Sequence, residues 1–291
     1  MATSFGFSWS IRSQVRCAAG IAHIPGYGSA VSAARMFGIV NTSTEPAVAV
    51  KPRCILCKRD DRPPSVEHLF AAGLGVHADI ELQRGAECEP CNNRCGRQID
   101  EALVHLPEVQ LVRGIWRVPD RKGRTVDSLE LSSGTLKFDK RGAMNVVVHR
   151  EGAVEVKDAS TIVVSIATKR RRSGDQWRRV ARAVLKMGLC TIRHEHGEEA
   201  ALEPELDAAR HAILGEPHTG FLLISPLDVH KQPDFSITVT GELPGMSGAV
   251  DFSYGGLRLV ADLGLGPASA ETLQWADAQG LHHMAITPLT T

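Results

Sequence analysis

The chain has 291 residues with 33 Lys plus Arg against 33 Asp plus Glu, so no net field draws in a polyanion and any nucleic-acid affinity must come from local clustering. The hydrophobic fraction of 43% and charged fraction of 23% are those of a globular chain. No apolar run approaches the ~20 residues of a membrane-spanning helix, which excludes a helical membrane protein.

Residues 1–50 are set aside from the fold. The first 44 contain no Asp or Glu, carry Arg12, Arg16 and Arg35, and are rich in Ser, Ala and Gly. That composition is leader-like, and it is equally that of an ordinary disordered extension.

Residues 51–107 form the first unit expected to fold. The stretch is dense in Cys, Gly, Pro and charge, with apolar runs too short to fold without a staple. Four of the seven cysteines make two C-x-x-C pairs, Cys54/Cys57 and Cys88/Cys91, with 30 residues between Cys57 and Cys88. Each C-x-x-C turn aims two sulfurs at one point, and four thiolates close a tetrahedral Zn shell, giving a structural site with no open position. Redox dithiols or an iron–sulfur cluster are the alternatives, although a redox pair ordinarily follows a strand in a βαβ context that is missing here. Metal-held thiols without a secretory signal place the protein in a reducing, cytoplasmic compartment. Cys95, Cys190 and Cys17 are read as packing or tail residues.

Residues 108–266 are expected to form an α+β accessory domain. Strand-like segments stand at Val109–Val118, Ser128–Leu131, Asn145–His149 and Thr161–Ala167. The clearest helix follows an Asp175 cap, with Trp177, Val180, Ala181, Val184, Leu185, Gly188, Leu189 and Ile192 at helical spacing. A shorter helix starts after Pro204 and stops near Gly215. Strands return at Phe221–Ile224, Phe235–Thr240, Ala249–Tyr254 and Leu257–Leu263, and residues 267–291 read as a loosely structured tail.

Lys169, Arg170, Arg171 and Arg172 lead into Arg178, Arg182 and Lys186, which a spacing of four aligns on the helix side away from the apolar stripe. Such a ridge neutralises phosphates, so it is the candidate for backbone contact with DNA or RNA; a solvated helix face is the bland alternative. His194 and His196 flank Glu195, a spacing with poor shared geometry for a second metal.

Between the cysteine pairs stands Glu67-His68-Leu69-Phe70, and directly after the second pair Asn92-Asn93-Arg94, Gly96 and Ile99-Asp100. This order resembles the HNH endonuclease family, in the branch that reads Glu-His-Ile/Leu-Phe and Cys-Asn-Asn, over residues 51–105, about a fifth of the chain. The segment Trp177–Leu214 resembles, more loosely, the region downstream of the module in that branch.

The resemblance implies a zinc-stabilised ββα-metal, treble-clef-like module: two short strands bearing Glu67 and His68, then a helix beginning near Asn92. His68 is the implied general base. Glu67 and Asn92 are the implied oxygen ligands of one Mg²⁺ or Mn²⁺ that binds the scissile phosphate of DNA. Because adjacent strand residues face opposite ways, a bulge or irregular strand is needed for Glu67 and His68 to serve one site. Asp79–Arg84 carries no Asn where the family places one on the strand before the second Cys pair, and Ala71 stands where Pro is common.

Overall fold

The computed structural model describes strand 9–12 and residues 51–75, 82, 85–120, 122–130, 134–148, 154–158, 161–164, 174–229, 231, 235–241, 243–246 and 248–287. The architecture is α+β. After β1 (Trp9–Arg12) and a 3-10 turn (Ala72–Leu74) comes α1 (Glu89–Cys95), which runs through a π-turn (Gly96–Asp100) into α2 (Glu101–Val104). Next are α3 (Pro107–Ile115), β2 (Ser128–Glu130), β3 (Gly134–Phe138), β4 (Met144–Val148), β5 (Val154–Asp158) and β6 (Thr161–Val164). The long α4 (Gly174–Ala201) is followed by a 3-10 turn (Pro204–Leu206) and α5 (Asp207–Ile213), then β7 (Gly220–Ile224), β8 (Phe235–Thr240), β9 (Ala249–Tyr254), β10 (Leu257–Asp262), α6 (Ala270–Ala278) and β11 (His282–Ile286).

All strand pairs are antiparallel. They make a five-stranded sheet in the order β11-β7-β10-β9-β8 and two three-stranded sheets, β2-β3-β4 and β1-β6-β5. The helix α4 lies across the five-stranded sheet on one side and against the π-turn and α2 on the other. The expected apolar stripe faces the sheet, where Gly188 lets the backbone approach: a Cβ there would stand 2.3 Å from Val250. Gly197, with φ of 90°, breaks the helical path near the end of α4, a conformation that favours glycine.

A single buried cluster runs from Cys54 and Ile55 through Leu103 and Val184 to Phe252 and Leu259. The cysteine-rich segment therefore shares its core with α4 and the large sheet. A helix buried on two sides explains why nearly every residue from Val180 to Thr191 is shielded from solvent.

Two expectations need correction. Val109–Val118 is not a strand but α3 with its exit: Pro107 sits in the first turn, and Val109 and Val112, three apart, enter the main core while Leu111 packs beside Leu136 and Phe138 of β3. The β-branched valines suggested a strand, and their spacing decided otherwise. Residues 267–287 of the expected loose tail are not loose either, and 288–291 lie outside the described residues. The side chain of Ser269 accepts from the Thr272 N–H to cap α6, and β11 pairs with β7 along its whole length, from His282 opposite Ile224 to Ile286 opposite Gly220. Among the described residues no helix is long and apolar enough to cross a membrane.

Candidate metal centre and adjoining cavity

The first cysteine pair sits on a tight turn. The Lys58 N–H donates to the Cys54 carbonyl at 2.8 Å, the Cys54 N–H to the Arg59 carbonyl at 2.9 Å, and Lys58 takes a left-handed φ of 58°. The second pair is carried by a helix start: Cys88 is the N-cap of α1 and Cys91 lies in its first turn, behind Pro90. The Ile55 N–H bonds the Ala86 carbonyl at 2.8 Å and so brings the two pairs together.

All four sulfurs lie within 4.8 Å of one another, and Cys57 Sγ is 3.7 Å from Cys88 Sγ. A tetrahedral ion with bonds of about 2.3 Å has sulfur–sulfur edges of about 3.8 Å, so this set could hold a metal ion such as zinc. The charges point the same way. The Cys91 thiol donates to Cys54 and holds it down at about 5, whereas that bond and then burial push Cys91 far up. Burial pushes Cys88 up to about 11. Binding a cation here would release the protons that these crowded thiols still hold. Cys95 and Cys190 are buried outside this set, as expected.

Arg210, 1% exposed, locks the first turn in place. Its Nε donates to the Ile55 carbonyl at 2.8 Å and its Nη1 to the Glu203 carbonyl at 2.9 Å, with further bonds to the Ala201 carbonyl and Asp207. Arg210→Ala strands the buried Ile55 and Ala201 carbonyls and is expected to lower unfolding free energy by about 2 kcal/mol or more, measured by urea denaturation.

Beside the sulfur cluster is a cavity of about 300 Å³, lined by Glu67, His68, Phe70, Asn92, Asp100 and Glu101 among others. The three residues named from the family resemblance thus face one space, although two come from the segment before Leu69 and one from α1. No regular strand carries Glu67 and His68. Extended chain pairs through Glu89 N to Pro63 O, Ser65 N to Glu87 O and Leu82 N to Glu67 O, while the Ser65 carbonyl takes the Gly85 N–H, an irregularity of the kind two adjacent residues need to serve one site. The helix starts at Glu89 rather than near Asn92, because Cys88 is the cap; Asn92 Nδ2 instead donates to the Val66 carbonyl at 3.2 Å, tying α1 to the Glu67 segment.

Behind Glu67 lies a buried charge cluster. Lys186 Nζ, 3% exposed, is 2.9 Å from Glu67 Oε1, 3.0 Å from Asp100 Oδ2 and 3.7 Å from Glu87 Oε1. Burial pulls the ammonium down, but the three carboxylates outweigh it and hold Lys186 well above the usual lysine range. Burial raises Glu67, with Lys186 opposing, and pushes the fully buried Glu87 up to about 8.

The expected cationic ridge is corrected. Lys186 and Arg182 face the protein interior, because α4 is covered on the side opposite the sheet by the π-turn and α2. Arg182 Nη2 donates to the Ile213 carbonyl at 2.6 Å, and Arg178 Nη2 to the Thr287 carbonyl at 2.7 Å. Lys169, Arg170, Arg171 and Arg172 lie outside the described residues. His194 and His196 are exposed and belong to no metal-holding group among the described residues.

Sequence reasoning missed Asp100 and Lys186 as parts of this site. Asn92, Gly96 and Asp100 recur every fourth residue, which marked a shared helix face. The run from Val180 to Cys190 contains only Arg182 and Lys186 as charged residues, the composition of a helix buried all round. No known protein family, curated protein or solved structure was found to match the chain.

Proposed function

We propose that residues 51–107 are a zinc-stabilised ββα-metal module of the HNH type, treble-clef-like in its turn and helix, with irregularly paired extended chain in place of the two strands, and that the chain is a metal-dependent endonuclease hydrolysing phosphodiester bonds of DNA. The observation that carries this reading is the convergence of Glu67, His68 and Asn92 on one cavity beside the four sulfurs. His68 takes the proton of the attacking water. Asn92 spends its Nδ2 on Val66 and keeps Oδ1, which with the Glu67 carboxylate gives hard oxygen donors suited to Mg²⁺ or Mn²⁺. That cation, when bound, supplies charge for the phosphate and the departing oxygen. With the α4 ridge buried, the exposed Arg94 and Arg97 on the helical run of Asn92 are the cations offered to the phosphate backbone.

A catalytically silent, zinc-folded nucleic-acid-binding module is the second reading, and what favours it is Lys186, which already occupies one oxygen of Glu67. Incubating the zinc-loaded full chain with supercoiled plasmid separates the two. Nicking that requires added Mn²⁺ or Mg²⁺ is the expected result. No nicking, with retention on DNA that weakens as salt rises, would leave the silent module.

A further inference from the structure

Lys186 sits at the middle of a helix buried on two sides, where an aliphatic residue would pack without the cost of desolvating an ammonium. Replacing buried ion pairs by apolar side chains is often neutral or stabilising, so a buried charge that joins three elements calls for a reason other than stability. Its partners supply one. Glu67 comes from the extended segment before His68, Asp100 from the end of the π-turn and Lys186 from α4, and the first two line the cavity.

We infer that Lys186 is a positioning residue of the cavity: its ammonium bridges Glu67 Oε1 and Asp100 Oδ2, fixing the two carboxylates at one spacing, and makes Asp100 a second carboxylate of the same site. The inference rests on the nuclease reading and deepens it, since it names the group that arranges the cation's ligands.

The geometry supports the assignment in three ways. The two bonds, 2.9 and 3.0 Å, are close to equal, whereas Glu87 stands back at 3.7 Å. Each of the two cavity carboxylates keeps one oxygen that Lys186 does not take. Two carboxylates held together in a low-dielectric wall repel each other, and an ammonium between them offsets that repulsion while leaving net negative charge for a dication. The ordinary role of a buried lysine, pairing one acid to stabilise the core, needs neither the second bond nor the shared cavity.

The test reads cation affinity rather than turnover. Lys186→Met in the zinc-loaded full chain is titrated with Mn²⁺ and free Mn²⁺ is followed by electron paramagnetic resonance. Loss of a group that orients metal ligands is expected to weaken Mn²⁺ binding about tenfold or more in the folded protein. A purely structural lysine would lower the melting temperature and leave the Mn²⁺ dissociation constant of the folded protein at the wild-type value or lower, the direction in which loss of a neighbouring positive charge acts, and either result would overturn the inference.

If Lys186→Met does not fold, Asp100→Asn carries the test, since Asp100 is partly exposed and the change is nearly isosteric. The same weakening supports the inference, and wild-type affinity overturns it. Wild-type protein that neither binds Mn²⁺ nor nicks plasmid defeats the nuclease reading and this inference together. Cation-dependent nicking with wild-type Mn²⁺ affinity in Asp100→Asn, or in a folded Lys186→Met, defeats this inference alone.

Discussion

Cys91→Ser is expected to abolish zinc binding at the proposed four-sulfur site and to unfold the segment around the two cysteine pairs. Cys91 contributes one of four sulfurs that lie within 4.8 Å of one another, and these join the two ends of a segment otherwise held by Arg210 and by its share of the main core. Among the described residues between 51 and 91, regular structure is confined to one 3-10 turn and the start of α1. Zinc held by such sites contributes roughly 10–16 kcal/mol at neutral pH. That is of the same order as the ~5–15 kcal/mol by which whole domains are stable, so an incomplete shell leaves the fold short. Because Ile55 and Leu56 belong to the same core as Val184 and Phe252, the loss should also lower the melting temperature of the rest of the chain. Elemental analysis by mass spectrometry and thermal melting followed by circular dichroism check this. A variant without metal that melts with the wild type would remove zinc from the account of the fold.

His68→Ala is expected to reduce plasmid nicking by roughly 10²–10⁴-fold, the usual contribution of a positioned general base. Zinc content and Mn²⁺ affinity should stay near wild type, because His68 is assigned to the water and Glu67 and Asn92 to the cation. A matching fall in Mn²⁺ affinity would recast His68 as a ligand. Nicking at the wild-type rate would remove it from the chemistry. The cavity wall beside His68 is also made by Phe70, which packs against Phe235 and Phe252 with ring centroids 5.9 and 6.4 Å apart, so the loop bearing the histidine is anchored independently of its ring. The substitution is therefore expected to leave the loop in place.

How far the site could be read from residues alone differs between its two halves. The sulfur cluster was legible, since two C-x-x-C pairs fix four ligands by local turn geometry whatever surrounds them. Glu67, His68 and Asn92 were legible as a set only through the motif order. Asp100 and Lys186 escaped, because pairing across 86 residues of sequence separation leaves no local pattern.

The elements show the same division. The stripe from Trp177 to Ile192, the stop near Gly215 and the strands from Phe221 to Asp262 follow from periodicity and turn residues, and these stand in the fold. Periodicity reports one buried face at a time. What the amino-acid order determined by itself was therefore the four-cysteine cluster that could hold a metal, the main helix and most of the strands of the large sheet. Tertiary structure decided which surface covers the second side of α4, so that Arg182 bonds the Ile213 carbonyl and Lys186 meets Glu67 and Asp100, and that β11 returns to close the sheet edge beside β7. The physical reason is that burial depends on which surface arrives opposite a residue, and segments far apart in the chain supply that surface.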